Sequence, residues 1–254
     1  MPKEQPKFPT EVVDLPSKGL LYPKGHPLSK GTIEMKYMTA KEEDILTSQN
    51  LIKKGVVIDQ LLKSLIVTKV GLDELLIGDK NAVMLAARIL GYGKTYEVDT
   101  TCPSCGAVEK GCEYDLTLFE HKPIDESKFS GKNRFEFELP NSGRKIEFKF
   151  MTHQDEQDAS LEVERMKKAM GGRTSEVTTR LRKQIISVDG EESPEFINNF
   201  INNEFFAMDS RAYREYYSEL QPDIDFGTVF SCNACGANSD VDLPIAVNFF
   251  WPSR

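Results

Sequence analysis

The sequence predicts an α+β fold made of two diverged tandem copies of one unit, strand–helices–strand–CxxCG–strand. Three pairs of matching segments carry that prediction. "IEMKYMT" (residues 33–39) returns as "IEFKFMT" (146–152), with Ile, Glu, Lys, Met and Thr identical. "GDKNA" (78–82) and "MDSRA" (208–212) share their Asp and Ala, and "TCPSCG" (101–106) returns as "SCNACG" (231–236). The first pair is 113 residues apart (33 to 146) and the other two 130 apart (79 to 209, 102 to 232). One insertion of 17 residues in the second copy, around "GGRTSEV" (171–177), therefore reconciles all three.

Taken in order, residues 1–30 are rich in Pro, Gly and Lys and read as an extended, turn-filled arm. Leu15, Leu20, Leu21 and Tyr22 on this arm need a surface, either this protein or another. Copy 1 spans 31–121. Its opening strand alternates apolar Ile33, Met35 and Tyr37 with Thr32, Glu34 and Lys36, the period-2 pattern of a half-buried strand. Thr39 with Glu42 forms a capping box that starts a helix. Residues 46–54 continue as helix to a stop at Gly55, and the more apolar residues 56–67 form a buried helix. A further helix, 79–90, can be capped by Asp79. "TYEVD" leads into the first CxxCG turn and "EYDLTLF" leads out.

Residues 122–133, "KPIDESKFSGKN", read as a linker, and copy 2 spans 134–254. "KIEFKF" is its strand, and Thr152 with Asp155 a weaker capping box. Helices are expected over 155–170, over 175–187, from Ser193 with Pro194 at the first helical position, and from Asp209 to about Leu220. "GTVF" leads into the second turn and "DVDLPIAVNFF" leads out. The acidic run "HQDEQD" (153–158) suits the positive end of a helix dipole better than a metal or catalytic site.

Two CxxC turns each present two sulfurs on one side of a knuckle, and a tetrahedral zinc takes four. Cys102, Cys105, Cys232 and Cys235 are therefore the predicted ligands of one structural zinc ion that joins the copies. With every position filled by sulfur, no water remains to be activated, which argues against zinc catalysis. Oxidoreductase dithiols such as "CPSC" open a helix after a strand; here strand-like sequence follows both pairs. Cys112 falls outside the pattern, its counterpart being Asp242, and reads as a packed or free thiol. His26, His121 and His153 lack counterparts and are left out of the site.

"GYGKT" (91–95) fails as a phosphate loop, because Arg88 stands where the first glycine is required and the segment follows a helix. "RTSEVTTRLRK" (173–183) reads as a solvated basic helix face. No nucleophile elbow, H-E-x-x-H or G-x-G-x-x-G occurs, so no catalytic residue is assigned and the expected answer to enzymatic activity is no. A net charge of −8 disfavours nucleic acid as the main partner. No apolar run approaches a membrane span, and "MPKEQPKFPT" lacks the apolar stretch of a signal peptide, so cytosol is the expected compartment. Five cysteines there suggest metal or free thiols rather than disulfides.

The stretch "LPSKGLLYPKGHPLSKGTIEMKYMTAKEEDIL" (15–46), with the paired CxxC turns, resembles the baseplate protein family of T-even-type tailed bacteriophages, associated with the baseplate hub. The resemblance implies a non-enzymatic hub subunit or hub assembly protein whose partners are other phage baseplate proteins. It would be made in the host bacterial cytoplasm, as a component of the virion tail baseplate or as an assembly factor, and the sequence does not decide whether it stays in the tail. A transient assembly chaperone absent from the virion and a zinc-ribbon nucleic-acid binder are the alternatives; oligomeric state stays open.

Overall fold

The computed structural model describes residues 9–129, 131–169, 175–243 and 247–251. Most of the expected insertion segment (171–174) and residues 244–246 of the last expected strand lie outside them. The order is β1 (Thr10–Asp14), β2 (Thr32–Lys36), α1 (Ala40–Thr47), α2 (Gln49–Lys53), α3 (Val57–Leu65), α4 (Ile77–Tyr92), β3 (Thr95–Thr101) and β4 (Val108–Asp115). There follow β5 (Phe135–Glu138), β6 (Lys145–Phe148), α5 (His153–Ala169), α6 (Glu176–Gln184), β7 (Ile185–Val188), α7 (Pro194–Asn203), α8 (Ala207–Leu220), β8 (Gly227–Ser231) and β9 (Asn238–Asp242). The described sheets are small and antiparallel: β1–β2, β3–β4, β5–β6–β7 and β8–β9. The mixed α+β class is as the sequence predicts.

Each half opens on a hairpin. β1 pairs with β2 (Val13 opposite Ile33) and β5 with β6 (Phe137 opposite Ile146). The inward residues Ile33, Met35, Ile146 and Phe148 are fully buried, and a single hydrophobic cluster runs through both halves. The segment 10–30 contributes to it. Leu15, Leu21, Tyr22 and Leu28 are buried, so the surface that takes the apolar residues of the N-terminal segment is this chain's own core.

Helix starts follow local chemistry at the predicted places. Thr39 and Glu42 form a reciprocal capping box, and Thr152 with Asp155 exchanges the same bonds. Two local expectations are corrected. Asp79 is not an N-cap, and the last helix starts at Ala207, ahead of Asp209: each aspartate lies in the first turn, behind Leu76 and Phe206 at the cap positions, and turns its carboxylate to a distant loop. The helix expected over 175–187 ends at Gln184, and Ile185–Val188 instead completes the β5–β6–β7 sheet, with Ile185 and Val188 buried beside β6.

The halves meet along two seams. At one, Ile77 N–H donates to Met151 O (3.1 Å) and His153 N–H to Leu75 O (2.8 Å). At the other, Lys122 N–H donates to Asp223 O and Asp225 N–H to Glu120 O, both 2.8 Å, around the antiparallel bridge His121–Ile224.

Candidate metal centre

β3–β4 and β8–β9 are two ribbons, each with a CxxC turn at its tip. The turns are built alike. Cys102 N–H donates to Ala107 O (2.8 Å) and Gly106 N–H to Cys102 O (2.9 Å); Cys232 N–H donates to Ala237 O (2.9 Å) and Gly236 N–H to Cys232 O (2.8 Å). Gly106 and Gly236 take φ of +74° and +71°, a conformation that disfavours side chains, which is why glycine follows the second cysteine.

The turns face each other. The sulfurs of Cys102, Cys105, Cys232 and Cys235 all lie within 4.8 Å of one another. The cross-ribbon pairs Cys102–Cys235 and Cys105–Cys232 are each 3.8 Å apart. A tetrahedral ion with zinc–sulfur bonds of about 2.3 Å places neighbouring sulfurs about 3.8 Å apart, so these four fit the group. Among the described residues they are the one cluster of ligand-type side chains. Cys102 and Cys232 are buried, and Cys105 and Cys235 stand at the exposed edge.

Backbone N–H groups aim at the sulfurs. Those of Cys105 and Ser104 hold the Cys102 thiol down at about 7. The amides of Cys235 and Ala234 do the same at Cys232, yet burial and the adjoining Cys102 leave that thiol raised. A cation among the four would reverse that balance, since thiolates are the metal-binding form.

Around the sulfurs the ribbons hold one another directly. Asn233 donates from its backbone N–H and from Nδ2 to the Glu109 carboxylate, and Ser104 Oγ meets Ser239 Oγ at 3.4 Å. Sequence reasoning missed Glu109 and Asn233, and nothing local announces a pair 124 residues apart. Cys112 packs half-buried beside Cys102, Phe230 and Cys232, outside the four. The histidines are elsewhere: His26 bonds Glu74, His121 bridges to Ile224, and buried His153 joins Asp59, Lys80 and Gln157 at the seam between the halves.

Fold and site together define an α+β protein in which two hairpin ribbons close a four-thiol junction. No curated protein and no solved structure matches the chain significantly. The sequence model of the family described as "T4 bacteriophage base plate protein" matches residues 10–251, nearly the whole chain, and the chain belongs to that family. Among the described residues, no helix is long and apolar enough to cross a membrane.

Proposed function

We propose that this chain is a non-enzymatic component of the phage baseplate hub. It acts through contacts with other baseplate proteins, and a zinc ion on Cys102, Cys105, Cys232 and Cys235 holds its two halves in fixed relation. The observation that carries this reading is the convergence of four sulfurs from opposite halves on tetrahedral spacing, in a chain of the baseplate family. Zinc bound by four thiolates has no position for a substrate, so its contribution is rigidity.

The halves are best understood as an internal duplication, supported by side-chain roles that recur. Lys36 Nζ bonds Glu42 and Lys149 Nζ bonds Asp155, each at 2.8 Å. "LPSKG" (15–19) and "LPNSG" (139–143) both follow the first strand of their half. Both are clamped by the first-turn aspartate of a later helix, Asp79 on Ser17 and Asp209 on Asn141 and Ser142. On this reading the first copy opens at β1 and residue 30 is no boundary.

Mass spectrometry of purified tails beside infected-cell lysate tests the role. A stoichiometric tail component is expected. A chain found in assembly intermediates but missing from finished tails would be a chaperone, and the hub-subunit reading would fall.

A further inference from the structure

We propose that the loop by which the first half exceeds the second is a docking surface for an extended, acidic and apolar segment of a partner protein. Between Gly19 and Ile33 the chain runs 13 residues, whereas between Gly143 and Ile146 it runs 2. Insertions that distinguish repeated units gather on binding faces. This one folds against residues 131–133, and a groove of about 950 Å³ opens between them. That volume is at the upper end of the ~300–1,000 Å³ of ligand sites. Half-buried Leu20 and exposed Pro23, with the edges of buried Leu21 and Tyr22, supply an apolar wall, and exposed Lys24 and Lys132 stand at its sides.

The charge of the groove is opposite to that of the chain. The lining contains no Asp or Glu, although the protein carries 40 acidic against 32 basic residues. Neither Lys24 nor Lys132 has an ionic partner among the described residues. Glu126, which Lys18 holds at 2.6 Å, lies outside the lining. Two unpaired ammonium groups beside apolar side chains favour a strand that carries carboxylates next to aliphatic residues.

Both walls are fixed in advance. Tyr22 Oη donates to Asp79 (2.7 Å) and accepts from Leu76 N–H (3.0 Å), and its ring stacks on His26 with centroids 5.0 Å apart. On the opposite wall the Asn133 side chain donates to Phe150 O and accepts from Phe150 N–H, both at 2.8 Å. A preformed groove loses little entropy when it is filled.

The inference rests on the reading of this chain as a baseplate protein that works by contacts. Its test uses the full chain, purified without chelator. The probe is an array of overlapping peptides of about 12 residues, about 40 Å when extended, covering the baseplate proteins encoded with it. Bound peptides are expected to combine acidic and apolar residues. Fluorescence anisotropy should show affinity falling about tenfold or more in the Lys24→Glu/Lys132→Glu variant and in Leu20→Asp. Circular dichroism and zinc content of both variants should match those of the unaltered protein. A blank array, a preference for basic peptides, or variants that bind as before would overturn the proposal. So would a dimer in light scattering that the charge reversals split, since the occupant would then be a second copy. Absence from tails and assembly intermediates would sink the baseplate reading instead, whatever the array shows.

Discussion

Asp79 is fully buried and accepts bonds from Ser17 N–H (2.9 Å), Ser17 Oγ (2.7 Å) and Tyr22 Oη (2.7 Å). Asp209, also fully buried, accepts from Asn141 N–H (2.7 Å) and Ser142 N–H (3.1 Å). Truncating Asp79 strands one buried backbone N–H and two hydroxyls, and truncating Asp209 strands two part-buried backbone N–H groups; a donor left unpaired costs about 1–3 kcal/mol. Asp79→Ala and Asp209→Ala should each lower unfolding free energy by at least about 2 kcal/mol in urea titrations; a loss confined to one of them would break the proposed equivalence of the halves. The sequence marks both residues as helix starts, but their partners lie 57 to 68 positions away in chain order, beyond any local pattern. Glu42 behaves differently. Burial raises its carboxyl, yet bonds from Lys36, Thr39 and Ser64 outweigh that and hold it at about 2, against an ordinary 4.5. Because the folded value is the lower one, the stabilisation is complete above the ordinary value and disappears as pH falls towards 2. Glu42→Gln should therefore be less stable than the unaltered protein near neutral pH, by about 3 kcal/mol at most, and the gap should close on acidification. A constant gap would mean that the ion pair with Lys36 is not what Glu42 contributes.

Helices and strands reach their positions by rules of differing visibility. Helix starts are local, so Thr39–Glu42, Thr152–Asp155 and Pro194 could be read directly, and the resulting helices stand where expected. β5 was also legible: Phe135 and Phe137 alternate with Glu136 and Glu138, but the signal sat at the edge of what read as a linker. β7 was harder, because "IISV" continues an apolar helical stripe, and only the free edge of β6 decides that it pairs as strand. The start of α4 depends on something no periodicity reveals. Gly78 sits under the chain that follows α8, and a Cβ there would come within 1.8 Å of Pro222 O, while Asn81 Nδ2 bonds Asp223 at 2.9 Å beside it. Gly78→Ala must push the two halves apart at that seam. It should cost about 1–3 kcal/mol or more, with hydrogen exchange accelerating at residues 120–122 and 223–225. Unchanged protection there would show that the seam yields without strain.

In the whole molecule, one core and one thiol junction hold the halves together, and the two should separate experimentally. The four cysteines were legible because CxxCG is a local spacing that repeats. Their convergence from ribbons 130 positions apart in chain order, with Glu109 and Asn233 locking the tips, is a property of the fold alone. A metal that binds only the folded form adds its binding free energy to stability, on the order of 10 kcal/mol in small zinc fingers. Here the helical core and the seam at residues 75–77 and 151–153 stand without the thiols. Zinc removal should consequently loosen the ribbons without unfolding the chain. In protein stripped by chelator, and in Cys235→Ser, hydrogen exchange should speed up in β3, β4, β8 and β9, while α4 and α8 keep their protection. Native mass spectrometry of untreated protein should show one zinc per chain. Metal-free protein as purified, or a global rather than local loss of protection in Cys235→Ser, would contradict this division of labour. The first result would remove the ion; the second would make the junction a condition for folding the core rather than a brace between its halves.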